Sequence, residues 1–170
     1  MKARDITLGA VLLAAALTVF VIENQIPSLV PVPGFKIGLA NVFTLITLYL
    51  WDTKHAFIIL ILRIVIGSFI FAGGITFIYS ISGGLCCFAV MTAVKRLFGN
   101  ECVFVSMVGA VAHNTGQLLA AAYILNGFGV FVYFPFLCAV GVASGFFIGM
   151  IAKVCIKNIH IRRLFSGGCR

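Results

Sequence analysis

Hydrophobic residues fill this chain in long runs that short polar stretches separate. The runs predict six membrane-crossing helices, at about Thr7–Ile26, Gly38–Trp51, Ala56–Phe71, a fourth between the turn at 72–80 and the basic loop at 95–101, Cys102–Leu125 and Val130–Val154. Runs of this length are typical of helices, whereas the strands of a membrane barrel are short and alternate. The second run has about 14 residues against the roughly 20 that cross a bilayer, which predicts irregular backbone over part of that crossing.

Composition supports an integral membrane protein. Hydrophobic residues make up 62% of the chain and charged residues only 9%, whereas a soluble domain has about 25% charged residues. We therefore expect a single all-α transmembrane domain over residues 1–170, with a basic tail at about 155–170. The first run lacks a clear cleavage site and is interpreted as a retained helix, not a signal peptide.

The net charge of +8 is distributed in a way that indicates topology. Basic residues lie before the first run, in every second connection and in the tail, at Lys2, Arg4, Lys54, Lys95, Arg96, Lys153, Lys157, Arg162, Arg163 and Arg170, and the remaining connections carry only Lys36. This positive-inside pattern predicts a multi-pass protein of the cell (cytoplasmic) membrane with both termini in the cytoplasm. Because topology accounts for the charge, nucleic acid is not an expected partner.

The connection between the first two runs has an unusual sequence for a simple loop. Pro31 and Pro33 disfavour helix, and Gly34 permits backbone geometries that other residues avoid. With Phe35, these residues are predicted to form a lid over a polar site. Lys36 and Asn41 follow as the chain becomes apolar again, and we expect both in the wall of that site.

Several polar residues lie inside the predicted helices, where they are costly unless they face protein or water. The candidates for the same ligand site are Arg63, Tyr79, His113, Asn114, Gln117 and Tyr133. Each has a structural alternative: Arg63 could extend to the inner surface, the tyrosines could belong to an interfacial belt, and the His113–Gln117 group could link helices by hydrogen bonds. Glu23, at the end of the first run, is most simply a solvated residue; the sequence does not decide whether it faces inward, where it would matter.

Small residues mark two close-packing surfaces. Ala10 and Ala14 share one face of the first helix, where they could dock a separate membrane subunit or pack within the chain's own bundle. Gly141, Gly145 and Gly149 recur every four residues in the last helix and predict a close-packed ribbon.

The residues for catalysis are scarce. The two aspartates, Asp5 and Asp52, both fall at the predicted cytoplasmic side, so no carboxylate pair is available to hold magnesium or to carry acid–base chemistry. No phosphate-binding glycine loop is present, and the six cysteines have neither metal-site nor disulfide spacing. We expect a protein that is not an enzyme and needs no metal or cofactor of its own.

Three segments resemble the Gx transporter family, whose members are often labelled heptaprenyl diphosphate synthase component I. The segments are Pro33–Val42, the glycine pairs Gly73–Gly74 and Gly83–Gly84 with Tyr79–Ser80 between them, and His113–Gln117. The six-helix outline is similar to the S components of energy-coupling factor (ECF) transporters. The resemblance implies a substrate-binding subunit that works with an ECF transmembrane coupling subunit, docked at Ala10 and Ala14, and a pair of ATPases that use ATP.

Two main hypotheses follow. In the first, the chain captures a small vitamin-like molecule from outside, and the positive charge of Lys36 and Arg63 favours an anionic or amphipathic compound. In the second, it is a non-catalytic membrane accessory subunit for isoprenoid or quinone (prenyl diphosphate) biosynthesis. An intramembrane enzyme that uses His113 is the least favoured reading, because no second catalytic group can be named.

Overall fold

The computed structural model describes residues 3–25, 38–70, 74–99 and 101–158. These residues form six α-helices and one 3-10 helix, with no strand in the described ranges. The α-helices are α1 (Ala3–Gln25), α2 (Asn41–Leu50), α3 (Thr53–Ile70), α4 (Gly74–Phe98), α5 (Cys102–Ile124) and α6 (Phe134–Lys157). The predicted lid (Pro31, Pro33, Gly34 and Phe35), Lys36 and the end of the basic tail lie outside the described residues.

Five of these helices are long and apolar enough to cross a membrane, which identifies a multi-pass membrane protein. The exception is α2, whose ten residues span about 15 Å, or half of the roughly 30 Å hydrocarbon core. Within the described residues five helices are therefore long enough to cross the membrane, and the predicted sixth span, at α2, stays a prediction. The expected irregular backbone before α2 agrees with this, since Gly38–Ala40 are not helical.

The helices pack as two groups. α5 packs along its length against both α4 and α6, while α1, α2 and α3 make smaller contacts with one another, and α2 and α3 also contact that trio. The glycines of α6 permit the closest approach, because β-carbons built at Gly141, Gly145 and Gly149 would lie within 2.6–3.2 Å of the α5 backbone. The ribbon predicted from the sequence is thereby confirmed.

The last helix begins later than predicted. Residues Phe128–Tyr133 form a 3-10 helix, so α6 starts at Phe134 instead of Val130. Pro135 lies in the first turn of α6, where its missing N–H costs nothing and its fixed φ suits the helix. A turn precedes this segment, with Asn126 at a φ of 47°.

The turn between α2 and α3 is fixed by Asp52. Its Oδ1 accepts a hydrogen bond from the backbone N–H of His55 at 2.7 Å, the geometry of an N-cap, and lies 2.9 Å from His55 Nδ1. Burial alone would raise the pKa of Asp52, but the backbone and side-chain hydrogen bonds from His55 outweigh it and lower that pKa. The His55 ring also stacks on Trp51, with the centroids 3.9 Å apart.

We expect Asp52→Ala to lower the free energy of unfolding by about 1 kcal/mol, because α3 loses its cap. Thermal unfolding of the detergent-purified protein measures this. Asp52→Asn is the matched control, since its amide oxygen can still accept from His55. Equal losses in the two variants would show that the cap contributes nothing and that charge alone matters.

Candidate functional site

Polar residues from four helices (α1, α3, α4 and α5) surround a small buried cavity near the end of the bundle where α1 finishes and α2 starts. Its volume is about 20 Å³, room for about one water molecule. The lining combines one carboxylate, one guanidinium, three uncharged polar side chains, an aromatic ring and a glycine, contributed by Glu23, Arg63, Ser80, His113, Gln117, Phe20 and Gly38. The cavity lies between the two groups of helices, since Ser80, His113 and Gln117 belong to α4 and α5.

Hydrogen bonds join α3, α2 and α5 beside this cavity. Arg63 Nη2 donates to Asn41 Oδ1 at 2.9 Å, and Asn41 Nδ2 lies 3.3 Å from His113 Nδ1. Because a guanidinium can only donate, the amide oxygen of Asn41 must face Arg63 and its NH₂ must face the imidazole. His113 Nδ1 is then the acceptor, which defines a neutral imidazole protonated at Nε2.

The imidazole of His113 fits between two glycines from separate segments. A β-carbon at Gly38, whose φ is +83°, would lie 3.1 Å from His113 Cδ2, and one at Gly83 would lie 2.9 Å from His113 Cε1. Gly38 also has a backbone conformation that L side chains rarely adopt. The structure therefore brings together the three segments that carried the family resemblance, at Gly38 and Asn41, at Gly83, and at His113 and Gln117.

Glu23 is the site residue that sequence reasoning missed. Its side chain is only 5% exposed, and its Oε1 accepts a hydrogen bond from the backbone N–H of Gly38. It also interacts electrostatically with Arg63. The interpretation of Glu23 as a solvated end residue is wrong, because the turn at Gly38 covers the carboxylate.

Arg63 faces the protein interior. It is 4% exposed, and its hydrogen bond to Asn41 directs the guanidinium towards α2. The alternative, in which the side chain extends along the helix to the inner surface, does not occur in this structure.

Asn114 belongs to the contact between α5 and α6. Its Nδ2 donates to the backbone carbonyl of Leu137 at 2.8 Å, and a β-carbon at Gly141 would lie 3.0 Å from that same atom. Asn114 is not in the lining of the cavity, unlike its neighbours His113 and Gln117. Its position fits the structural alternative, a hydrogen bond that holds two helices together.

The two tyrosines predicted for the site lie in an apolar cluster. Tyr79 is buried with Leu118, Ala121 and Leu137, and Tyr133 packs against the same cluster. Neither lines the cavity. Their contact with a ligand stays a prediction.

Ala10 and Ala14 are both exposed on α1. Ala10 also lines a larger apolar groove of about 240 Å³ between α1 and α3, close to Trp51 and His55. The described bundle therefore leaves most of this face uncovered, as a docking surface requires. Docking itself stays a prediction.

Within the described ranges, no group of three or more His, Cys, Asp or Glu residues could hold a metal ion. Long apolar helices around a buried polar cluster define a multi-pass α-helical membrane protein with an internal polar site. The chain belongs to the family described as heptaprenyl diphosphate synthase component I, which it matches over residues 12–155. This confirms the family predicted from the three segments. A search of curated proteins and a search of solved structures each found no match.

Proposed function

We propose that this chain is a substrate-binding subunit, similar to an ECF S component, that captures a small vitamin-like molecule from outside the cell. The observation that carries the proposal is the convergence of Glu23, Arg63, Asn41, His113 and Gln117 beside one buried cavity. Polar and charged groups at membrane depth are expensive, and they are typical of substrate pathways and sites.

The chemistry of the cluster favours binding over catalysis. Its hydrogen bonds use a guanidinium, an amide and a neutral imidazole, which suit recognition of a ligand. Among the described residues, no group of three or more His, Cys, Asp or Glu could hold a metal ion. Glu23 is the one carboxylate in the cavity lining. We therefore infer that the chain is not itself an enzyme.

Ligand entry in this proposal requires the cavity to expand. A site for a drug-sized ligand has about 300–1,000 Å³, so α1, α2 and α3 must move relative to α4, α5 and α6. The proposed lid at Pro31–Phe35 belongs to the connection between Glu23 and Gly38. A hydrogen bond between these two residues ties the ends of the connection together. Breaking that bond would release the two ends of the connection from each other.

The proposed energy source is external. An ECF-type transmembrane coupling subunit would dock at the exposed Ala10 and Ala14, and a pair of ATPases bound to it would use ATP on the cytoplasmic side. Both termini of the chain would be cytoplasmic in the cell membrane, as the basic connections predict. The lipid bilayer is the remaining partner.

A second candidate function rests on the family description. A component of a heptaprenyl diphosphate synthase could be a non-catalytic membrane accessory subunit for prenyl diphosphate biosynthesis. In that case the polar cluster would be structural, and the protein would co-purify with a soluble synthase. The importer proposal instead expects co-purification with an ATPase pair.

Native mass spectrometry of the detergent-purified protein tests the importer proposal. We expect a retained small molecule, and we expect Asn41→Ala and His113→Ala each to weaken its retention about tenfold or more, because each removes a buried hydrogen bond. Thr115→Ala is the control, since its hydroxyl bonds only to Val111 on the same helix. Full retention by both site variants would exclude this cavity as the binding site.

A further inference from the structure

The two charged side chains that line the cavity do not neutralise each other by direct contact. Glu23 and Arg63 are both at least nine-tenths buried, and both face the same space of about 20 Å³. No ion pair within 4.0 Å joins them in the described part of the chain. A buried carboxylate and a buried guanidinium are therefore held apart by a cavity.

Both groups retain hydrogen-bonding capacity. Arg63 donates through Nη2 to Asn41, but its Nε has no hydrogen-bond partner. Glu23 accepts from Gly38, and a carboxylate has about four acceptor positions. The guanidinium of Arg63, which can only donate, and the carboxylate of Glu23, which accepts, both belong to residues that line the cavity.

The remaining lining adds no charge. Ser80 and Gln117 are uncharged, and the hydrogen bond from Asn41 makes His113 a neutral imidazole. One positive and one negative group thus cancel among the described residues of the site. The carboxylate would repel an anion placed here, and the guanidinium would repel a cation. In either case the buried charge of the ligand would be only partly paired.

We propose that this site selects a ligand group with no net charge that presents a hydrogen-bond donor to Glu23 and an acceptor to Arg63. An amide-like edge, with an N–H beside a carbonyl as in a lactam, satisfies both residues at once, and so does a zwitterion. This inference rests on the proposed function and differs from the anionic ligand that Lys36 and Arg63 predicted from the sequence.

The test separates ligands by charge before they meet the protein. A small-molecule extract from cells that express this chain is divided by ion exchange at pH 7 into uncharged or zwitterionic, anionic and cationic fractions. Purified protein is incubated with each fraction and examined by native mass spectrometry. We expect retention from the uncharged or zwitterionic fraction. Retention of an anion or a cation would overturn the inference while leaving the importer proposal standing, and no retention from any fraction would overturn both.

Glu23→Gln supplies a second readout, the preference of the protein among the three fractions. A purely structural role of Glu23 would leave this preference unchanged. The glutamine can still accept from Gly38, but the charge of Arg63 is no longer balanced, so we expect preference to shift about tenfold or more towards the anionic fraction. Asn24→Ala, at the neighbouring position, should leave the preference unchanged. An unchanged preference in Glu23→Gln would refute the inference. If that variant does not fold, the experiment with the wild-type protein and the three fractions decides. If the wild-type protein retains an anion and Lys36→Met does not, charge selection belongs to Lys36.

Discussion

Gly145→Val will separate α6 from α5 and prevent the bundle from forming its native packing. A β-carbon at position 145 would lie 2.6 Å from the Cα of Met107 and 2.8 Å from the carbonyl oxygen of Ser106. Both are backbone atoms, so no side-chain rotation can relieve the overlap. Overpacking of a core costs about 1–3 kcal/mol and occasionally more. We expect the loss in free energy of unfolding at position 145 to be about 3 kcal/mol or more.

The measurement is size-exclusion chromatography followed by thermal unfolding in detergent. Ala143→Val is the matched control, because residue 143 is exposed on the same helix and the substitution creates the same side chain two positions away. We expect the control to behave as the wild type and Gly145→Val to aggregate or to unfold at a much lower temperature. Equal stability of the two variants would mean that α5 and α6 are not packed as described.

The sequence predicted this helix contact because its signal is local. Three glycines at intervals of four fall on one helix face whatever the rest of the fold does, and that face must be packed closely to compensate for its missing side chains. The same reasoning placed His113 and Gln117 on one face of α5. It did not separate Asn114, because adjacent residues on a helix point about 100° apart and only the positions of α4 and α6 decide which neighbour each one meets.

The charge balance of the site could not be predicted in this way. Glu23 stands at the end of an apolar run, where a solvated carboxylate is the ordinary outcome, and its burial depends on Gly38, fifteen positions later. Arg63 was similarly open between two directions until Asn41 of α2 supplied an acceptor. Such contacts between distant segments leave no periodic pattern in the sequence, so the candidate residues were identified more easily than their pairing.

Glu23→Gln will destabilise the protein, and a second substitution at Arg63 will recover part of the loss. Removing one partner of a buried charge pair costs roughly 3–5 kcal/mol, because the other charge is left uncompensated. Since the cavity separates Glu23 from Arg63, we expect a value near the lower limit, about 3 kcal/mol. The glutamine keeps the shape of the side chain and the acceptor for Gly38, so the effect isolates the charge.

A double-mutant cycle measures the coupling. The free energies of unfolding of Glu23→Gln, Arg63→Met and the double variant are compared with that of the wild type by thermal unfolding in detergent. Arg63→Met also loses the hydrogen bond to Asn41, and this loss is shared by the double variant, so it cancels from the interaction term. We expect the double variant to be at least about 1 kcal/mol more stable than the sum of the single effects predicts. Strict additivity would show that the two charges do not interact, and the site would then need another explanation for holding both of them out of water.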